Sequence, residues 1–324
     1  MLHLAVGGRL LARPRRLVEG PRPGHGGRRV TGAADFASGK GHRDENFPVA
    51  SRLVRAELRS TILAFYRFAR AADDIADHET AASEQKLEHL DRLEAGLRGE
   101  TGASTEGEML RLALQARGLP DRHALDLLEA FRSDVTKRRY ADWSELMDYC
   151  RLSAAPVGRF VLDLHGESDA LWPLNDALCA ALQVINHLQD CAKDYRTLDR
   201  VYIPIDCLAV EGLHVDCLSA RRGSPGLRRA IAGLARRAGD LLDRSRPFAE
   251  RIADRRLALE VGVIQALAVS LVRRLERRDP LSERVHHHAV EAAGLALRGG
   301  FVVAMRRLVR IVASRQPGLH GSQG

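Results

Sequence analysis

Between Glu57 and Asp77 the chain carries neither Gly nor Pro, and Leu58, Ile62, Phe65, Phe68, Ala69 and Ala72 recur at helical intervals. That period gathers them on one face of a helix and leaves the polar residues on the other. The same pattern predicts helices near 83–98 (Leu90, Leu93 and Leu97 inward), 107–117 and 121–139 (Leu125, Leu128, Phe131 and Val135 inward). Pro48 stands near the entry to the first helix, where proline is well tolerated. Tyr149 to Gly158 lies inside another helical run. Pro156 and Gly158 together predict a kink there, and small side chains at a kink leave room for a ligand between helices. A further run over Ala180–Asp194 stops at Arg200-Val-Tyr202-Ile-Pro204, and later runs occupy roughly 225–245, 248–277 and 281–312. Strand patterning is nearly absent. The expected fold is all-α, a bundle of about ten helices around one cavity.

The polar positions carry the chemistry. Arg67-Phe-Ala-Arg70-Ala-Ala-Asp73-Asp74-Ile-Ala-Asp77 ends the first helix. Asp73 and Asp77, four residues apart, project from one face, with Arg70 a turn before them. Carboxylates crowded at a helix C-terminus repel one another and oppose the helix dipole. A hard divalent cation such as Mg²⁺, which prefers oxygen ligands, would compensate them. On its own such a cluster also reads as a solvated acidic helix end. The second run breaks the tie, because Asn186, Asp190 and Asp194 fall at i, i+4 and i+8. On an ideal helix that stripe drifts by only about 40° per step. A neutral oxygen among carboxylates has a use as a ligand and none on a solvated face. Two such stripes facing each other could hold several Mg²⁺ ions with a diphosphate between them.

Composition narrows the partners. The 324 residues carry a formal charge of +8 and a pI near 9.6, which favours anionic ligands. The basic residues are scattered, with no aromatic-interleaved stripe, so nucleic acid is not expected. Five cysteines (Cys150, Cys179, Cys191, Cys207, Cys217) form no CxxC pair. That argues for reduced thiols in a cytoplasmic protein. Residues 1–40 are rich in Arg, Gly and Pro and read as a disordered extension, 41–300 as one catalytic domain, and 301–324 as a basic amphipathic segment and tail. From Leu295 to Arg315, Phe301, Val302, Val303, Leu308, Ile311 and Val312 mix with Arg298, Arg306, Arg307 and Arg310. The segment reads as a final packing helix or as one resting on the inner face of an acidic membrane.

Three motifs then stand in order: DDxxD at Asp73–Asp77, YCxxSAxPVG at Tyr149–Gly158, and NxxxDxxxD at Asn186–Asp194, with Arg200-Val-Tyr202 behind them. In these the chain resembles the squalene/phytoene synthase family, over roughly residues 44–290. The wording Gly41-His-Arg-Asp-Glu-Asn-Phe-Pro-Val-Ala50 with Asp134-Val-Thr-Lys137 is most similar to the hopanoid-pathway, squalene synthase-like (hydroxysqualene synthase) branch. The resemblance implies a type I isoprenoid synthase bundle. The activity it implies is Mg²⁺-dependent: presqualene diphosphate ionises, its cyclopropylcarbinyl cation rearranges, and water captures the product as hydroxysqualene. It assigns Asp73, Asp74, Asp77, Asn186, Asp190 and Asp194 to the metal. Arg70, Gln183, Arg200 and Tyr202 match positions at the diphosphate end, and Asn46, Phe47, Tyr66 and Val157 match positions that line the cavity. Tyr66, Phe47 and Tyr149 could steady a cation through their ring faces.

Two departures stand out. Lys193 puts a cation beside the second motif, and His286-His-His288 replaces a segment where relatives often carry a Lys. Condensation of farnesyl diphosphate to presqualene diphosphate or squalene, and phytoene formation, remain as rivals. Hydride quenching is open too: no GxGxxG fingerprint is present, but relatives that use NADPH lack one, so NADPH is not expected yet not decided. From other classes, Glu211-Gly-Leu-His214 and Glu283-Arg-Val-His286 match the Glu-x-x-His of di-iron bundles. A non-catalytic membrane-surface helical protein is the last alternative. The apolar product of the leading reading implies handover to other enzymes of the pathway.

Overall fold

The computed structural model describes residues 55–314. After a short 3-10 turn, α1 (Arg59–Ala76) buries Ile62, Phe65, Phe68, Ala69 and Ala72, the face its periodicity marks. Then come α2 (Ser83–Arg98), α3 (Thr105–Gln115), α4 (Arg122–Thr136), α5 (Trp143–Ser153) and α6 (Ala155–Leu164). The chain continues through α7 (Trp172–Leu198), α8 (Ile205–Val210), α9 (Pro225–Ser245), α10 (Phe248–Arg251), α11 (Arg255–Leu275) and α12 (Ala289–Ser314). At 27 residues, α7 is about 40 Å long. It packs against α5, α6, α9 and α11, while α1 packs on α2, α3 and α4 and α12 lies on α11. Among the described residues the sole β feature is one bridge, Arg139 to Val201.

Capping explains where several helices begin. Ser104 Oγ accepts from Gly107 N at 3.2 Å, Asp142 Oδ1 from Glu145 N at 2.9 Å and Ser224 Oγ from Leu227 N at 3.1 Å. Each satisfies an amide that the first helical turn leaves without a partner. Where the observed helices differ from the periodicity, the backbone shows why. The run around Tyr149–Gly158 is two helices: Ala154 leaves helical geometry (φ −120°, ψ −49°), and Pro156 occupies the first turn of α6, where a missing N–H costs little. The run near 248–277 breaks at an extended Ile252, and Asp254 restarts it by accepting from Arg256 N and Leu257 N at 2.8 and 3.0 Å. The last helix starts at Ala289 and runs through residue 300, so the division drawn between 300 and 301 falls within one helix.

Gly158 shows how closely α6 meets α7. A Cβ at that position would sit 1.9 Å from Oδ1 of Asn175. Asn175 is buried and donates through Nδ2 to the Ala155 carbonyl at 3.2 Å, so it has nowhere to retreat. The Gly158→Ala variant is expected to melt several degrees below the parent, the equivalent of about 1–3 kcal/mol of overpacking. Calorimetry showing an unchanged melting temperature would refute this close packing.

Candidate active site

The end of α1 and the middle of α7 face each other across a solvent-open chamber. Asp73 and Asp77 line it from α1, and Gln183, Asn186, His187, Asp190, Asp194 and Leu198 from α7. Phe131 and Asp134 come from α4, Tyr149 and Ser153 from α5, and Arg200 and Tyr202 from the segment after α7. The two oxygen-bearing stripes, 109 residues or more apart in the chain, therefore share one space.

Arg200 holds this corner together. Asp199 closes α7 in the left-handed region (φ 52°), and that reversal turns Arg200 inward, where it is 4% exposed. Its guanidinium donates to Asp77 Oδ1 at 2.6 Å, to the Ala76 carbonyl at 3.0 Å and to the Asp134 carbonyl at 3.0 Å. One side chain thus ties the C-terminus of α1 to that of α4, and all its nitrogens are engaged. The carboxylate of Asp134 accepts from Tyr149 Oη at 2.8 Å and Tyr202 Oη at 3.1 Å. Burial pushes the Asp134 carboxyl upward, against the pull of Arg200. Burial likewise holds both phenols well above their usual range, so they stay protonated donors. The His187 ring stacks on Tyr202 with centroids 3.5 Å apart. Burial, with Arg200 nearby, depresses the His187 imidazole to about 3, so it is neutral near pH 7.

The carboxylates at the mouth are less well compensated. Protein crowding first, and the Asp77 charge second, push the Asp73 carboxyl up to about 7, although Arg70 pulls the other way. Asp194 is raised too, by burial and then by Asp190. Arg70 bonds Asp73 at 2.8 Å and Asp74 at 2.5 Å, and Lys193 stands 3.9 Å from Asp190. These cations do not bring the half-buried Asp73 carboxyl or the buried Asp194 carboxyl back to its ordinary range. A divalent cation fits such a set: the donors are carboxylate and amide oxygens, and they lack the positive charge that ionising them together requires. Among the described residues no three acidic, His or Cys side chains close around one point.

Not every residue the sequence singles out is in this wall. Asp74 is turned by about 100° from Asp73 and pairs with Arg70 at the rim. Tyr66 and Val157 are buried in the core at 6% and 3% exposure, away from the chamber lining. Asn46 and Phe47 lie outside the described residues. Asp134, His187, Phe131, Ser153 and Leu198 join the wall without having been named as site residues. Asp134 did leave a signal: it falls three residues after Phe131, on the buried face of α4, where an acid needs a reason. Of the two Glu-x-x-His pairs, Glu211 bonds Arg229.

The like-charge crowding predicts a cost that pH should expose. The Asp73 carboxyl is raised in the fold, so between about 4 and 7 the folded state binds more protons and loses stability as pH rises. With chelator present, Asp73→Asn should therefore melt higher than the parent. The gap should grow from pH 4 to 7, level off above that, and reach at least about 2–4 °C. Melting curves with no gap at pH 8 would contradict the crowding.

The sequence profile of the squalene/phytoene synthase family matches residues 41–291. The chain is 57% identical over 262 residues to the hydroxysqualene synthase of Rhodopseudomonas palustris, covering 81% of this chain and 90% of that protein. It is 53% identical over 278 residues to the hydroxysqualene synthase of Zymomonas mobilis, covering 85% and 92%. The crystal structure of squalene synthase HpnC from Alicyclobacillus acidocaldarius superposes with a TM-score of 0.63 at 35% identity, over 72% of this chain and 88% of that one. With two acidic helix faces meeting over one chamber and this likeness along most of its length, the chain belongs to the squalene/phytoene synthase family.

Proposed function

We propose that the protein converts presqualene diphosphate to hydroxysqualene and diphosphate with Mg²⁺, by ionisation, rearrangement of the cyclopropylcarbinyl cation and capture by water. The observation that carries the reading is the meeting of Asp73 and Asp77 with Asn186, Asp190 and Asp194 around one chamber. The names of the most similar relatives support the same reaction. These five residues would hold the metal, which when bound neutralises charge on the departing diphosphate as a Lewis acid. Arg70, at the rim beside Asp73 and Asp74, offers charge-assisted hydrogen bonds to the same group. Arg200 positions Asp77 rather than reaching for phosphate.

Behind the charged mouth the wall is built of neutral polar and aromatic groups. Tyr149 and Tyr202 keep their hydroxyls on Asp134, so they present ring surface to a cation without offering a nucleophile. A small second pocket lies between α6, α7 and α11, lined by Val161, Leu162, Leu178, Val261 and Ile264 among others. Purified protein given presqualene diphosphate and Mg²⁺ should release one diphosphate per hydroxysqualene formed, with or without NADPH. Squalene appearing only with NADPH, or turnover only of farnesyl or geranylgeranyl diphosphate, would overturn the assignment. Asp190→Asn should lower turnover by at least about 100-fold, and chelation should abolish it.

The handling of so apolar a product favours a peripheral place on a membrane. No described helix is long and apolar enough to cross one. On α12, however, Val290, Leu297, Phe301 and Met305 are exposed along one stripe. Arg306 and Arg307 are turned onto the protein, bonding Glu250 at 2.8 Å and the Ile252 carbonyl at 2.6 Å. That leaves apolar contact, more than charge, to drive docking. The protein should co-sediment with vesicles, Phe301→Glu should weaken this several-fold, and added salt should change it little. Binding abolished by salt would favour electrostatic docking instead.

A further inference from the structure

We infer that Arg196, Arg221 and Arg222 form an anion site outside the chamber that takes a free, metal-free diphosphate group. The choice of diphosphate rests on the reaction proposed above; the cluster itself does not. The three exposed side chains line one solvent-open hollow with Leu281 and Ser282. Arg196 comes from the last turns of α7, two residues after Asp194. That step turns it by about 200° around the helix from Asp194, and it is absent from the chamber lining although it lies at the same end of α7. Arg221 and Arg222 come from the segment between the 3-10 turn Val215–Ser219 and α9.

Ordinary solvation does not account for this grouping. Several exposed arginines elsewhere settle against an acid: Arg98 on Glu94 at 2.7 Å, Arg229 on Glu211 at 2.6 Å, Arg246 on Asp243 at 2.8 Å and Arg306 on Glu250 at 2.8 Å. Among the described residues, the guanidinium groups of Arg196, Arg221 and Arg222 have no hydrogen-bond or ion-pair partner. The neighbouring acid, Asp279, is 4% exposed and gives its oxygens to neutral donors. It accepts from Gly223 N and Ser282 Oγ at 2.8 Å and from Leu281 N at 3.0 Å. Those bonds fasten the segment that carries Arg221 and Arg222 to the loop that supplies Leu281 and Ser282. The seat is close: a Cβ at Gly223 would lie 2.8 Å from Asp279 Oδ1. The backbone under two of the cations is therefore fixed, while their heads face solvent. Like charges around one hollow repel, and an anion relieves them. A guanidinium presents a fork of N–H donors that matches phosphate oxygens, and a diphosphate offers two phosphate groups to three forks. At the acidic mouth of the chamber a diphosphate needs metal to neutralise the carboxylates; at this hollow it needs none.

That difference supplies the test. Titration calorimetry of the intact chain with inorganic diphosphate, in the presence of chelator, should show binding that weakens with added salt. The double variant Arg221→Gln/Arg222→Gln, and Arg196→Gln, should each bind at least about tenfold more weakly, the worth of one charge-assisted hydrogen bond. Their melting temperatures should match the parent, because these side chains hold nothing in the fold. Arg70→Gln, which removes the cation at the chamber mouth, should keep the parental metal-free affinity. No metal-free binding by the parent, parental affinity in the hollow variants, or loss in Arg70→Gln in their place would overturn the inference. Vesicles bearing phosphatidic acid test the other source of the same chemistry. If the hollow variants lost vesicle binding and kept diphosphate binding, the occupant would be a lipid headgroup and the inference would fall. Failure of the protein to release diphosphate from presqualene diphosphate would overturn the reaction and leave the calorimetric result standing.

Discussion

The chamber depends on one buried cation. Arg200 reaches from the turn after α7 to the last residues of α1 and α4, and hydrogen bonds from Val201 N to the Arg138 carbonyl and from Arg138 to the Leu198 carbonyl fasten the same two chain segments beside it. A buried guanidinium is tolerable only if its donors are satisfied and an opposite charge is near, and Asp77, two carbonyls and the neighbouring Asp134 meet that demand. The requirement runs both ways. The C-termini of α1 and α4 leave carbonyls without helical partners, and Arg200 takes one from each. Once these ends are pinned, Asp73 on α1 and the Asn186 stripe on α7 have a fixed separation.

Around that anchor, charge is sorted by depth. Carboxylates crowd the mouth, where a departing anion and its cations belong. The wall also carries two phenols, an imidazole and an amide, and its buried charges, Arg200 and Asp134, are engaged with each other's segment and with the phenols. The arrangement stores repulsion in the metal-free protein. Optimising function at the mouth has a cost in stability that the apolar core, running from α1 through α7 to α11, offsets.

Helices whose faces follow a simple period were legible from their residues because burial of α1, α2 and α9 follows i, i+3 and i+4 recurrence. The acidic stripes were legible for the same reason, since alignment along one helix is a local property. Breaks were harder to see. Ala154 and Ile252 leave helical geometry at ordinary-looking residues, and the cause lies in how the next helix packs. Asp74 and Asp73 read alike in sequence, yet a turn of about 100° sends one to a guanidinium at the rim and the other into the chamber.

Local sequence by itself determined the all-α class, the two ligand faces and the family resemblance, because each is written in spacing within a single helix or motif. Only the tertiary structure decided which acceptors Arg200 would satisfy, that Asp134 would sit beneath two phenols, and that His187 would stack on Tyr202 in the chamber wall. Those depend on contacts between residues such as Asp134 and Tyr202, 68 positions apart. No periodicity along one helix encodes which distant segment will meet it, since that is set by how the whole core closes.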